Sequence, residues 1–354
     1  MRVLVTGHHG YIGAVLTPLV AAAGHDVVGL DTFFFRDCDL GPAEPWRDAR
    51  ALDVRDITTA DLEGIDAIVH LAALSNDPLG DLNPAWTYDI NRDGTIHLAR
   101  LARDAGVRRF VFASSCSMYG SAGKDGLVDE SSPLRPLTPY AESKVRAEEA
   151  LFDLADDDFA PVSMRNSTAY GASPRLRLDI VLNNLVGWAH AFGTITLLSD
   201  GSAWRPLVHV RDITEVAIRL LDAPLEFIRG EAFNVGSSAQ NYRIRDLAGL
   251  VQQAYPSCEL TFSEAAGADP RSYRVDFAKL SRALPDFRCS WSAESGIAEL
   301  SGVYAACGLD ARGFEGPLYV RLRQLKKLLE SGRLDDGLRW APSGALAPQD
   351  ESAS

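Results

Sequence analysis

Short apolar runs alternate with longer segments of helical periodicity through the first half of the chain. Arg2 to Thr6 is a near-continuous apolar run that stops at Gly7, as a strand buried on both faces reads. After Gly7, apolar residues recur at Val15, Leu16, Leu19, Val20 and Ala23, a helical period that Gly24 ends as a C-cap. Asp26 to Leu30 is a second apolar run, closed by Asp31. The alternation continues with strands at residues 67–71, 109–113 and 161–165, and with helices at 86–105 and 138–154. Thr138 followed by Pro139 is an N-cap and first-position pair. Strands alternating with helices predict an α/β fold, a doubly wound parallel sheet covered on both faces.

Beyond about residue 170 the rhythm breaks at Pro174, Gly187 and Gly193. Residues 207–210 and 232–235 read as strands, and 210–221 and 244–254 as helices. The expected organisation is a first lobe over 1–171 to which 205–237 returns. A smaller mixed α/β C-terminal lobe takes 172–204 and 238–334. Residues 335–354, rich in Pro, Ala and Ser, are expected to form a flexible tail.

Composition narrows the partners. The 354 residues hold 35 Lys and Arg against 48 Asp and Glu, a net charge of −13. That balance argues against nucleic acid and against anionic membrane surfaces as partners. Five cysteines, at Cys38, Cys116, Cys258, Cys289 and Cys307, are odd in number and lack CxxC spacing. They point away from a disulfide framework or structural zinc and toward a reducing compartment. No apolar run approaches the ~20 residues of a membrane span. MRVLVTGHHG has no apolar core of a signal peptide. A cytoplasmic location is expected. His8 and His9 are adjacent and have no third ligand beside them, so no metal site is expected.

Two constellations carry chemistry. Gly7-x-x-Gly10-Tyr11-Ile12-Gly13 lies between a strand and a helix. Glycine permits a tight turn and close approach of backbone to a pyrophosphate, and the helix start offers N–H groups and partial positive charge. Asp31 ends the next strand, where a carboxylate suits the two hydroxyls of an adenosine ribose and repels a 2′-phosphate. That favours NAD over NADP, with Arg36 nearby to soften the preference. The second constellation is Tyr140-Ala-Glu-Ser-Lys144, whose ends share a helix face at i and i+4. An ammonium group beside a phenol stabilises the phenolate and makes tyrosine a usable base. Ser114-Ser115 follows the strand at 109–113.

Together these motifs resemble the extended short-chain dehydrogenase/reductase family, and within it the nucleotide-sugar epimerases and dehydratases, closest in pattern to the UDP-galactose 4-epimerase type. The resemblance runs from residue 1 to about 285. It implies a Rossmann-type first lobe, NAD as cofactor and a catalytic Ser115, Tyr140 and Lys144. It adds Asp53-Val54 beside adenine, Leu71-Ala72-Ala73 along the cofactor, Asn91 as a buried helix asparagine, and Ser114 and Ser167 as further cofactor contacts. For a nucleoside-diphosphate sugar it implies Ser75, Ser115, Cys116, Ser117, Thr168, Asn184 and Arg205, with Arg175, Arg177 and Arg271 as further phosphate contacts. A homodimer paired through the helices at 86–105 and 138–154 is also implied.

Departures from the family pattern shape the expected reaction. The Asp-Glu pair that follows the serine in 4,6-dehydratases is Cys116-Ser117 here, which argues against 4,6-dehydration. Arg-Tyr-Phe-Asn becomes Arg165-Asn166-Ser167-Thr168, and Arg-x-x-Asp becomes Ala266-x-x-Asp269 with Arg271 following. The reaction implied is epimerisation through a transient keto-sugar: Tyr140 takes a proton from a sugar hydroxyl, at C4 on this pattern, and a hydride leaves and returns to the other face. The alternatives are an NAD(P)H-dependent 4-ketoreductase of deoxysugars and a non-catalytic NAD-binding scaffold.

Overall fold

The computed structural model describes residues 1–41, 45–121, 126–267, 269 and 271–342. Seven parallel strands form the main sheet, in the spatial order Glu231–Val235, Ala160–Asn166, Arg109–Ser115, Ala67–His70, Arg2–Thr6, Asp26–Asp31 and Ala49–Ala51. Val3 sits between Val27 on one side and Ala67 on the other. The chain leaves the first strand in one direction and comes back to its opposite side, and ligands bind at such a reversal in open α/β sheets. Successive side chains divide the core. Val3, Val5, Val69, Val111 and Val162 pack against Leu16, Val20, Ile213 and Val216 on one face. Leu4, Ile68, Phe110 and Phe112 pack against Leu98, Ala102, Ala147 and Leu151 on the other.

The first-half elements fall where the apolar pattern places them, with one exception. Residues 86–105 are not one regular helix. A turn at Pro84–Thr87 leads into a π-helical segment, Tyr88–Asp93, and then the α-helix Gly94–Asp104. The wider turn carries Asn91, fully buried, to the backbone of Leu74: its Oδ1 accepts from the Leu74 N–H at 2.8 Å and its Nδ2 donates to the Leu74 carbonyl at 3.1 Å. π-Turns inside helices recur at functional positions.

The second lobe packs helices Val181–Phe192, Ile244–Ala254 and Ala293–Ala306 around Leu182, Val186, Leu247, Val251, Ile297 and Leu300. Strands Thr194–Ser199 and Glu259–Gly267 pair beside them in parallel. Three expectations differ from the structure. Within 205–237 the strand Trp204–His209 stands outside the main sheet, paired with Thr168–Tyr170 and Asn241–Arg243 in a small sheet, although Val208, Ile213 and Val216 pack into the first-lobe core. Ala160–Asn166 already has a neighbour on each side, so no sheet position is open there. Residues 238–334 do not all belong to the second lobe. Leu280 and Phe287 pack into the first-lobe core, and Leu325 and Leu328 of the helix Arg321–Glu330 pack against Phe34, Leu74, Leu79 and Ile90. Finally, residues 335–342 are not loose. Leu338 is fully buried, and the Trp340 Nε1–H donates to the Thr32 carbonyl at 2.6 Å. The rest of the expected tail, 343–354, lies outside the described residues. Among the described residues no helix is long and apolar enough to cross a membrane.

Candidate functional site

The carboxyl ends of the main-sheet strands open into a cavity of about 950 Å³ that continues into the second lobe. That lies toward the upper end of the ~300–1,000 Å³ range of ligand cavities. Gly7 has φ +72°, and a Cβ there would meet the Ala72 nitrogen at 2.8 Å. A Cβ on Gly13 would lie 2.1 Å from the Gly7 carbonyl oxygen, so the helix Gly13–Ala22 starts this close to the turn only because residue 13 has no side chain. Asp31 accepts the His9 N–H at 3.1 Å and the Phe33 N–H at 2.8 Å, which fix the carboxylate at the cavity edge.

Ser115, Tyr140 and Lys144 converge on the same cavity. Thr138 caps the helix Pro139–Asp153 that carries Tyr140 and Lys144: its Oγ1 accepts from the Ala141 N–H at 3.2 Å and donates to Asp77 Oδ1 at 2.7 Å. Ser115 Oγ is held by the Ser117 N–H at 3.1 Å. Enclosure pushes the Tyr140 hydroxyl up to about 12, and its hydrogen bond with Ser115 opposes that shift. Burial pulls the Lys144 ammonium down to about 7. The protein alone therefore holds the tyrosine protonated. A cationic or hydrogen-bonding ligand at this point is what shifts the pair toward the phenolate.

The orphaned polar atoms fit a polar ligand here. Ser114 Oγ, Ser117 Oγ, Ser167 Oγ and Asn166 Oδ1 are buried without hydrogen-bond partners among the described residues, and all four residues line the cavity. Such atoms cost stability unless a ligand or water satisfies them. With the glycine turn and Asp31 at the other end, the residues present fit a dinucleotide lying along the strand ends.

Of the expected cofactor residues, Gly7, Gly10, Tyr11, Ile12, Gly13, Asp31, Asp53, Val54, Leu71, Ala72, Ala73, Ser114 and Ser167 line this cavity with Tyr140 and Lys144. Asn91 and Arg36 are not brought to its wall. Asn91 lies one step away, hydrogen-bonded to the cavity-lining Leu74, and the Arg36 guanidinium lies 3.8 Å from Asp37, 40% exposed. His70 also turns inward, between Thr6 Oγ1 at 2.6 Å and Thr95 Oγ1 at 2.8 Å, and burial keeps it neutral, down to about 3.

Of the expected substrate residues, Ser75, Ser115, Ser117, Thr168, Arg177, Asn184, Arg205 and Arg271 line the cavity. Cys116 and Arg175 do not. Cys116 is fully buried with Sγ 3.0 Å from the Arg165 carbonyl, and burial pushes its thiol up, so it is not placed as an acid or base toward the cavity. Arg175 is taken up by Asp39, His9 and the Arg36 carbonyl. Arg177 forms a two-pronged pair with Asp179, at 2.7 and 3.0 Å, and donates to Ser75 Oγ at 2.9 Å. At the second-lobe end, Arg205 Nη2 meets Asp269 at 2.8 Å, and Arg271 spans Asp269 at 3.0 Å and Asp77 at 2.6 Å.

Three carboxylates complete the site: Asp77 and Asp179, which no sequence motif marks as site residues, and Asp269 of the Ala266-x-x-Asp269 motif. Each holds an arginine that faces the cavity. The only signal for Asp77 is Asn76-Asp77-Pro78, which reads as a helix start, and Asn76 does cap there by accepting the Leu79 N–H at 3.0 Å.

A glycine turn with its acid, and a Ser–Tyr–Lys set at the far end of one cavity, define an extended short-chain dehydrogenase/reductase. The model of the NAD-dependent epimerase/dehydratase family matches residues 3–236, and the chain belongs to that family. Its cofactor is NAD. The chain is 31% identical over 319 residues to a UDP-glucose 4-epimerase of Mycolicibacterium smegmatis, covering 84% of this chain and 96% of the relative. It is 26% identical over 326 residues to a UDP-glucose 4-epimerase of Bacillus subtilis, covering 85% and 94%. Among solved structures, the NAD-dependent NDP-hexosamine 5,6-dehydratase TunA superposes with a TM-score of 0.77 at 26% identity, covering 86% of this chain and 98% of that one.

Proposed function

We propose that the protein is an NAD-dependent epimerase of a nucleoside-diphosphate sugar, acting at C4. The observation that carries the reading is the pairing of Ser115, Tyr140 and Lys144 with a serine and a buried cysteine, rather than two carboxylates, after Ser115. A 4,6-elimination of water needs an acid and a base at those two positions. A C4 oxidation followed by reduction needs only one group that takes and returns a proton.

NAD, held by the glycine turn at Gly7–Gly13 and by Asp31, would supply a reversible hydride acceptor beside the sugar carbon. The chain's own residues do the rest. Tyr140 accepts the hydroxyl proton and later returns it. Ser115 orients the oxygen by hydrogen bonding. Lys144, as an ammonium group, favours the phenolate form of Tyr140. Arg205 and Arg271 exchange part of their pairing with Asp269 and Asp77 for the sugar nucleotide's diphosphate. Anchoring by the diphosphate leaves the sugar ring free to turn between the two transfers. Two copies pairing through the helical segments within 86–105 and 138–154 belong to the same reading.

The UDP-glucose 4-epimerases of M. smegmatis and B. subtilis support this reading, since this chain covers nearly their whole length. The test is a panel of UDP-glucose, UDP-N-acetylglucosamine and UDP-glucuronic acid, each incubated with purified protein and no added reductant, with products assigned by proton NMR. The expected product from at least one is its C4 epimer. A 4-keto-6-deoxy product would replace epimerisation with dehydration.

A further inference from the structure

Arg321 is 2% exposed, lines the cavity, and has no carboxylate at ion-pair distance among the described residues. It is the first residue of the ten-residue helix Arg321–Glu330, whose first turn has no acidic residue. Its Nη2 donates to the Arg175 carbonyl at 2.8 Å and its Nη1 reaches the Leu318 carbonyl at 3.5 Å. The guanidinium lies 4.8 Å from the centre of the Phe35 ring. The neighbouring arginines differ: Arg175 has Asp39 and Arg177 has Asp179.

A buried cation without a counter-ion is costly, and a fold keeps one where an anion arrives. Burial and the nearby Arg177 pull Arg321 down to about 10, and burial with Arg175, His8 and Arg321 pulls His9 down to about 3. Burial is the larger cause of both shifts; the neighbouring cations add to it, and Asp179 opposes it at Arg321.

Its location names the anion. Phe35 belongs to the loop after Asp31, the acid suited to the adenosine ribose. The loop that receives Arg321 is bolted to the glycine turn, since Tyr11 Oη donates to the Gly171 carbonyl at 2.8 Å and Ser173 Oγ donates to the Tyr11 carbonyl at 2.7 Å. Arg321 is thus tied on one side to the loop that packs on the glycine turn and on the other to the loop that follows the ribose acid.

We propose that Arg321 is a phosphate ligand of the cofactor, closing over the pyrophosphate from the side opposite the glycine turn. The turn's N–H groups grip one side and the planar guanidinium the other. Arg321 lies outside the family-matched residues 3–236, so this clasp comes from the C-terminal segment. The inference rests on NAD as cofactor and not on epimerisation, and none of its readouts needs turnover.

The test uses full-length protein washed free of nucleotide. Titrations of ADP, adenosine, 2′,5′-ADP and UDP compare wild type with Arg321→Met and Arg321→Lys. The expected result is ADP binding weakened about tenfold or more in Arg321→Met, partly recovered in Arg321→Lys, with adenosine and UDP unchanged. In wild type, hydrogen exchange with and without ADP should show protection at residues 318–325, a measurement that does not depend on a variant folding. Unchanged ADP affinity in a folded Arg321→Met protein, or no protection in wild type, overturns the proposal. So does a loss confined to UDP, which would move Arg321 to the substrate, or wild-type preference for 2′,5′-ADP over ADP, which would move it to a 2′-phosphate.

Discussion

Lys144 donates through Nζ to the Ala113 carbonyl oxygen at 2.7 Å, and its ammonium lies 4.6 Å from the centre of the Phe112 ring. One carbonyl and one aromatic face do not replace water around a cation, so burial lowers its pKa from 10.5 to about 7. The sign for stability follows. Between about pH 7 and 10.5 the unfolded chain binds a proton that the folded chain does not, and wild-type stability rises with pH. Below about 7 the folded protein carries the full cost of the buried charge. Lys144→Met should therefore melt above wild type at pH 6, with the gap narrowing toward pH 9.5. Thermal melts of ligand-free protein check this. A gap that widens with pH would show that Lys144 is not buried as a cation.

Tyr140→Phe should keep NAD and lose turnover. The ring remains, so packing survives, but the group that moves the proton is gone. A positioned acid–base group contributes about 10²–10⁴-fold, and a loss in that range is expected. NAD released on denaturation and the initial rate, measured on one preparation, separate binding from chemistry.

Arg205 and Arg271 share Asp269, and Arg271 also reaches Asp77 across the cavity. Arg205→Met should weaken UDP-sugar binding about tenfold or more, as loss of a charge-assisted contact does, and leave NAD content unchanged. Calorimetric titration of the UDP-sugar, with NAD measured alongside, checks both halves.

Much of this was legible in the sequence. The strand runs, Thr138 as a cap and the i, i+4 spacing of Tyr140 and Lys144 are local features, and local features survive folding. What was not legible depends on distant partners. Arg175 and Arg177 read alike, yet Arg177 lines the cavity and Arg175 turns to Asp39 and His9. Cys116 stands beside Ser115, but the short helical turn Cys116–Tyr119 points it into the core. The π-turn at Asn91 has no composition signal at all. Leu325, Leu328 and Leu338 pack across about 250 residues of chain onto Leu74 and Ile90, a pairing that no local pattern announces.

Glu148 and Arg165 form a buried pair at 2.6 Å behind the site, and Arg165 also donates to Tyr119 Oη at 3.0 Å. Removing one partner leaves a buried charge uncompensated. Glu148→Gln should cost about 3–5 kcal/mol in urea unfolding. A loss below about 1 kcal/mol would mean that solvent or a rearranged neighbour satisfies Arg165.

In the proposed epimerisation one hydrogen leaves C4 as hydride and returns to the opposite face. A UDP-hexose that the protein accepts, deuterated at C4, followed by NMR and mass spectrometry in ordinary water, tests it directly. The expected product has inverted configuration at C4 and keeps its deuterium there. Deuterium lost to solvent, or a keto-sugar that accumulates with the label gone from C4, would rule that transfer out.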